Sequence, residues 1–337
     1  MYSEEKFQSE NPLKAIIGAG RSGTTWLGSI IDSHPEVVYR FEPFHRLKDT
    51  NADFKAGLEL FSDPTLSDKH LDKIYQLLIE ADPLTCKPPF FQKNSRNNFG
   101  IKWMWGFSRK FRATRIVYKH LYTPKGRPPV VFKEVTYERH MKNLLTRTSM
   151  PITYLVRHPC GTMLSEMKGQ ATGQMPTGRQ AFLGRLLKAH DSDLHERYEP
   201  MLDNMSPLEK STLLWRLDLE KGVSAIKETN KGLLLTYEQL CDDPYTHSKR
   251  AFEHFGLKFE KETEQFIDNL CSVQPQPKKK FPLKGDWMRG FFTVYRNPKT
   301  QKNAWKKRIS SSDRKTVEKM LEDSEAFQYC AALGGWD

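Results

Sequence analysis

Between Leu13 and Trp26 the chain reads L-K-A-I-I-G-A-G-R-S-G-T-T-W. Apolar residues run into three glycines, an arginine and a row of hydroxyls, then into a helical pattern. That order fits a strand, a tight turn and a helix N-terminus, where backbone N–H groups and the helix dipole favour an anion. Three chemistries compete for it. Gly18-Ala-Gly20-Arg-Ser-Gly23 satisfies the G-x-G-x-x-G of a dinucleotide site, with Glu42 about where such folds place the acid for the ribose; the chain would then be an NAD(P)-linked oxidoreductase. Gly18 and Gly23 also have the spacing of a nucleoside-triphosphate loop, but Thr24 stands where the phosphate-holding lysine belongs, which argues against NTP hydrolysis. The third reading uses Arg21, Ser22, Gly23, Thr24, Thr25 and Trp26 together. Hydroxyls, one arginine and converging N–H groups suit a compact, multiply charged phosphate, and Trp26 offers a plane for an adenine or a packed wall.

The elements that must position these groups follow from pattern and punctuation. Lys14 to Gly18 predicts a buried first strand and Ser22 to Ser33 a helix, which His34-Pro35 stops. Val37 to Phe41 predicts a second strand ending on Glu42-Pro43-Phe44-His45, a placement that open α/β sheets use for chemistry. Phe54 to Ala81 has a helical period, and Asp82 to Asn98 reads as a loop. The aromatic run Gly100 to Phe107 is read as core packing in preference to a substrate-lining wall. Pro128 to Val135 and Pro151 to Val156 are β-branched runs between breakers, hence central parallel strands, with a helix from Tyr137 to Arg147 between them. The second of these runs into Arg157-His158-Pro159 and a helix through Met167. Ser206-Pro-Leu-Glu209 is a capping box that opens a helix to about Asn230. A short strand, Gly232 to Thr236, leads to Tyr237 and a helix ending near Gly256. Ser272 to Thr300 is basic and rich in breakers, and Asp313 to Ala326 reads as a closing helix. The alternation predicts one doubly wound α/β domain over residues 1–337, its central parallel sheet flanked by helices.

Composition bounds the rest. Apolar residues make up 38% of 337, ample for a core, and 53 Lys plus Arg against 41 Asp plus Glu give a formal charge of +12. That excess suits an anionic ligand, nucleic acid or an acidic membrane surface, or is a solvated basic exterior. Five scattered cysteines without a C-x-x-C pair fit a reducing, cytoplasmic setting better than a disulfide framework. No apolar segment approaches the roughly 20 residues of a membrane span. His190-Asp-Ser-Asp193-Leu-His195 lacks a metal-ligand spacing, and no metal is expected.

Here the sequence resembles the sulfotransferases that use 3'-phosphoadenosine 5'-phosphosulfate (PAPS) and release the bisphosphate PAP. Gly20 to Leu27, G-R-S-G-T-T-W-L, is similar to that family's 5'-phosphosulfate loop, with Arg21 in the basic position other members fill with lysine. Arg157 to Ser165, R-H-P-C-G-T-M-L-S, resembles its 3'-phosphate site; a strand-end arginine and a serine just over two helical turns on can both face one phosphate. Leu233 to Leu240, L-L-L-T-Y-E-Q-L, resembles a late strand and Y-E-x-L turn that brings Tyr237 to the nucleotide. Lys284-Gly-Asp-Trp resembles the stretch that closes over the nucleotide in cytosolic members. Lys278 to Lys284 stands where those members carry R-K-G, so Lys280 and Lys284 become candidates for the 3'-phosphate. Trp305-Lys-Lys-Arg-Ile-Ser and Leu333-Gly-Gly-Trp336 look like the carbohydrate branch.

The resemblance implies a P-loop-like fold that divides by function: residues 12–48 for the phosphosulfate loop and base, 128–170 for the 3'-phosphate, and 272–300 for the nucleotide cover. It implies in-line sulfuryl transfer to a hydroxyl or amine of a small acceptor, with positioning and charge neutralisation as the protein's task. Lys133 is placed to neutralise the bridging oxygen. Glu42, which follows His34-Pro35-Glu36-Val37, is the favoured general base, with His45 assisting and Glu134 and His140 as other candidates. Acceptor-lining loops are expected from Phe44 to Phe107 and from Gly169 to Tyr198. A sugar or a natural product of the saxitoxin kind is an acceptor class without a motif behind it. Neither nucleic acid nor a membrane is expected as partner, and the oxidoreductase and a non-catalytic polyanion-binding module stand as alternatives.

Overall fold

The computed structural model describes residues 11–173, 178–272 and 298–336. Five strands form one parallel sheet: β1 Leu13–Gly18, β2 Val38–Phe41, β3 Val130–Val135, β4 Ile152–Val156 and β5 Leu233–Thr236. Their order across the sheet is β2-β3-β1-β4-β5. Because side chains alternate along a strand, each contributes to two cores. Leu13, Ala15, Ile17, Phe132, Ile152 and Tyr154 face one layer, which holds the long helix Pro207–Thr229 and the helices Asp68–Ile79, Glu138–Arg147 and Ser311–Leu321. Ile16, Val131, Leu155 and Leu235 face the other, packed with the helices Thr24–Asp32, Pro244–His254 and Lys261–Ser272. Burial on both faces explains why these strands read as continuous apolar runs. Helices therefore flank the sheet on both sides, as the alternating pattern predicts.

Strand positions agree with the pattern to within a residue or two; several helices are shorter than their periods suggested. Phe54 to Ala81 divides into Ala52–Leu60 and Asp68–Ile79. Asp63 takes the Thr65 N–H and hydroxyl at 2.7 Å, a local turn beside Pro64 that outcompetes the helix. The stretch after Tyr237 breaks at Asp243-Pro244, where Asp243 caps a new helix through the Thr246 N–H. The closing helix becomes Ser311–Leu321 and Glu325–Gly334, with Ser324 capping the second.

Core packing does not describe the aromatic run. Helix Ile101–Ser108 buries Ile101 and Ser108, while Trp103 and Phe107, one turn apart, point outward and Trp103 is 78% exposed. Trp105 alone is held inward, its Nε1 donating to the Pro83 and Cys86 carbonyls at 2.9 and 2.8 Å. A second helix, Arg112–Tyr122, packs against it. No helix among the described residues is long and apolar enough to cross a membrane.

The long helix keeps its predicted capping box, Ser206 with Glu209, and ends on Asn230 at φ 51°. Midway, Gly222 lets it lie against β4: a Cβ there would come 2.4 Å from the Tyr154 ring. Gly222 and the Tyr154 ring are both buried in a packed interior, so little can give. Gly222→Ala is expected to destabilise the fold by about 1–3 kcal/mol, typical of overpacking, measured by urea unfolding. An unchanged midpoint would show that Tyr154 can swing aside.

Candidate active site

The carboxyl ends of β1, β2, β3 and β4 meet at one edge of the sheet, and the polar residues at those ends form the site. After β1 the chain turns through Arg21 at φ 71° and Gly23 at φ 97°. Gly23 is required twice over, by its left-handed backbone and because a Cβ would lie 2.4 Å from the Tyr237 ring. Helix Thr24–Asp32 starts there, and its first N–H groups have no acceptor within the helix. Ser22 Oγ and Trp26 Nε1 are buried with no hydrogen-bond partner in the protein, an arrangement that suits an anionic or polar ligand.

Arg157, at the end of β4, reaches back to this turn. Its Nη1 donates to the Arg21 carbonyl at 3.3 Å, and its guanidinium lies 4.4 Å over the Tyr237 ring. Arg21 Nε in turn donates to Ser165 Oγ at 2.9 Å. Tyr237 meets Trp26 edge to face at 5.9 Å between centroids. Arg21, Ser22, Gly23, Thr24, Thr25, Trp26, Arg157, Ser165 and Tyr237 are thus brought together from four segments. Lys280 and Lys284, with the Lys284-Gly-Asp-Trp stretch, lie outside the described residues.

Beside this turn is a second cluster, across β2 and β3. The register pairs Phe41 with Lys133, so the Glu42 N–H donates to the Lys133 carbonyl at 2.8 Å and the two side chains form an ion pair at 2.5 Å. Lys133 is 2% exposed and is no solvent-facing strand end. Glu42 has φ 48°; Arg46, one turn on, is its second cation at 3.6 Å, whereas Arg40 is spent on the Leu78 and Ile79 carbonyls. Burial works against the Glu42 charge, but Lys133 and Arg46 outweigh it and hold the carboxyl below its usual range. His45 sits exposed on the following turn.

Successive residues of β3 point to opposite faces, which separates Lys133 from Glu134. Glu134 is fully buried beneath helix Pro43–Leu47 and accepts the Phe44 N–H at 2.7 Å and the His45 N–H at 3.4 Å. His140 is buried against Phe61 and Tyr137 and bonded to Ser62 Oγ at 2.9 Å, with its pKa pushed down to about 4 by burial. Of the four acid–base candidates, only Glu42 and His45 have side chains placed at the open edge.

A family model for the sulfotransferase domain matches residues 14–330, from the first strand into the last helix. The chain belongs to the sulfotransferase domain family. Similar solved structures include the sulfotransferase domain from the curacin biosynthetic pathway, 15% identical over 92% of this chain and 98% of that one, TM-score 0.44. Mouse sulfotransferase SULT7A1 complexed with PAP is 10% identical over 98% of this chain and 95% of its own, TM-score 0.44. Retinol dehydratase in complex with retinol and PAP is 15% identical over 93% and 81%, TM-score 0.39. No curated protein sequence matches this sulfotransferase.

Two residues of the sulfotransferase's edge, Lys87 and Gly161, gave no local sequence signal. Lys87, in the proline-rich loop after Cys86, lies 3.9 Å over the Phe41 ring, and burial together with the Lys133 charge lowers its pKa to about 7. Gly161 makes room for Arg157, whose Nε would stand 2.9 Å from a Cβ there. Behind Arg157, His158 stacks on Trp305 at 4.0 Å, and Glu238 binds both the His158 N–H at 3.2 Å and Trp336 Nε1 at 2.8 Å. Y-E-x-L, W-K-K-R-I-S and L-G-G-W therefore converge as supports of one arginine.

Burial and the Glu42 charge push the Glu134 carboxyl from an ordinary 4.5 up to about 8. Between those values the folded state holds a proton that the unfolded chain has released, so this group's contribution to stability falls as pH rises. Glu134→Gln keeps the acceptor for Phe44 and His45 and removes the titration. Its Tm relative to the parent should therefore rise from pH 5 to pH 8, by about 2 °C or more. Parallel Tm profiles would refute the raised pKa.

Proposed function

We propose that this sulfotransferase moves the sulfuryl group of PAPS to a hydroxyl or amine of a small acceptor, with Glu42 as general base. What supports this reading is the convergence of Arg21, Arg157 and Ser165 on the turn after β1, where Arg21 bonds Ser165 and Arg157 bonds the Arg21 carbonyl, beside an ion-paired carboxylate. The residues fit such a donor: Ser22 Oγ, Trp26 Nε1 and Arg157 Nε are buried donors with no hydrogen-bond partner in the protein. When bound, PAPS supplies an electrophilic sulfur and a phosphate leaving group.

Arg21, the first N–H groups of the helix and the hydroxyls of Ser22, Thr24 and Thr25 hold the 5' end. Arg157 and Ser165 hold the 3'-phosphate, with Lys280 and Lys284 as further candidates, and Trp26 and Tyr237 line the nucleotide. Lys133 neutralises charge on the leaving oxygen. An anion that draws Lys133 also weakens its hold on Glu42, so the base strengthens when the donor is in place. Glu42 then takes the acceptor proton, with His45 beside it. The dinucleotide reading fits less well, because Glu42 is committed to Lys133 and Arg46 and not open to a ribose.

Thermal shift with PAP, NAD and ATP separates the nucleotide classes, and PAP alone should stabilise the protein. Arg157→Ala removes a charge-assisted bond of about 1.5–3 kcal/mol and should weaken PAP about tenfold or more by calorimetry; unchanged affinity would sink the assignment. Glu42→Gln should retain PAP binding while sulfuryl transfer falls about 10²- to 10⁴-fold, and normal turnover would remove the base role.

A further inference from the structure

The charge of this chain is concentrated in one place. From Pro83 to Lys133 there are 12 Lys and Arg and no Asp or Glu; setting those 12 aside from the 53 basic residues leaves 41, against 41 acidic residues elsewhere. Four of the 12 answer carboxylates outside the stretch: Lys93 with Asp32, Lys119 with Glu80, Arg127 with Asp72 and Lys133 with Glu42. Lys102, Lys110, Arg112 and Lys125 are exposed.

The same stretch forms the helical hairpin Ile101–Ser108 and Arg112–Tyr122. Its inner side is sealed by Ile101, Trp105, Tyr118 and Tyr122, which pack with Cys86. Its outer side carries seven of the twelve exposed large hydrophobic residues among the described residues, including Phe99, Trp103, Phe107, Phe111, Ile116 and Val117. Phe99, Trp103 and Ile116 are each more than 70% exposed, so these side chains do not hold the hairpin together. A soluble surface seldom carries so many neighbouring apolar side chains without a binding role.

We propose that this hairpin docks on an anionic lipid surface, with its outer aromatic and aliphatic side chains at the headgroup boundary and Lys102, Lys110 and Arg112 among the phosphates. Apolar residues interleaved with lysine and arginine, with no carboxylate between, are what an interfacial helix pair needs. Charge decides against the other occupants of the face. A symmetric contact with a second copy would press like charge on like. A nucleic acid could stack on Phe99, Trp103, Phe107 and Phe111 but gains nothing from Ile116, Val117 and Leu121 exposed with them, whereas a headgroup boundary takes rings and aliphatic side chains alike. The core of a protein interface is depleted in lysine, whereas here Lys102 adjoins Trp103 and Lys110 adjoins Phe111.

The face continues into the catalytic edge. Trp105, on the first hairpin helix, donates to the Cys86 carbonyl at 2.8 Å, and the next residue, Lys87, lies 3.9 Å over the ring of Phe41, which precedes Glu42. A docked hairpin would therefore bring the edge that holds Glu42 near the bilayer. This departs from the expectation of no membrane partner and does not depend on which donor the site uses.

The full chain is tested by co-sedimentation at low salt with vesicles of phosphatidylcholine alone and of phosphatidylcholine with 30% phosphatidylserine. Binding to the anionic vesicles only, lost at high salt, is expected. Two triple variants, Trp103→Ser with Phe107→Ser and Phe111→Ser, and Lys102→Gln with Lys110→Gln and Arg112→Gln, should each weaken it about tenfold or more while Tm and PAP affinity stay as in the parent. Brominated lipid should quench parent fluorescence more than that of Trp103→Phe, a readout that does not depend on the triple variants folding. No anionic-vesicle binding, binding unchanged in the apolar variant, or preference for heparin, RNA or an acidic protein over vesicles would each overturn the proposal.

Discussion

Parallel pairing of β1 with β3 on one side and β4 on the other is the constraint on which the rest of this molecule depends. The pairing runs Ile17 against Glu134 and Ile17 against Tyr154, so all three strands end at the same height. Each is buried on both faces and can release polar groups only at its ends, which concentrates them along one edge. Arg21 follows β1, Arg157 follows β4, and Lys133 stands near the end of β3 with Glu42 across from it after β2. A slip of one residue in β3 would exchange Lys133 for Glu134 at that edge, replacing the cation by a carboxyl.

Left-handed backbone marks the same edge. Among the described residues four non-glycine positions have positive φ, and Arg21, Glu42 and Thr136 are the residues at or just after the ends of β1, β2 and β3. Such conformations cost of order 1–3 kcal/mol each and persist when packing on either side fixes them. Here they turn the chain sharply out of the sheet and aim side chains along the edge instead of into either core. Arg21, Arg46 and Lys133 are held close together with Glu42 as the ionised counter-charge, their charges help burial draw Lys87 towards neutrality, and burial pushes the Glu134 pKa up. The edge is left with an excess of positive charge, a field that favours anions.

Much of this was legible in the residues. Strand positions followed from apolar runs between breakers, and the tight turn into a helix N-terminus followed from the glycines and hydroxyls after the first of them. The distant R-H-P-C-G-T-M-L-S motif placed Arg157 and Ser165 together, but nothing in it showed that Ser165 bonds Arg21 or that Arg157 reaches the Arg21 carbonyl. What was hidden depended on contact across the chain. Nothing near Lys87 shows that it rests on Phe41, and only the strand register tells Lys133 from Glu134. The outward aromatic rings were misread because a dense apolar run looks the same whether a helix turns it in or out. Helix lengths were overestimated where Asp63 and Asp243 bend the chain through their own hydrogen bonds, a local competition that periodicity does not register.

The contact between Gly23 and Tyr237 has a consequence for how the protein is made. The Arg21 turn lies near the start of the chain, yet the ring that closes on it follows the last strand of the sheet. A growing chain can complete β1 and the first helix early, but Gly23 has no wall and Arg157 no ring to lie on until β5 is in register. The earliest functional segment to be synthesised is thus among the last to reach its final form, and long-range pairing of this kind slows folding. Until then the turn is an open, cationic loop, and a fragment ending before Tyr237 would carry the signature residues of the site without the site.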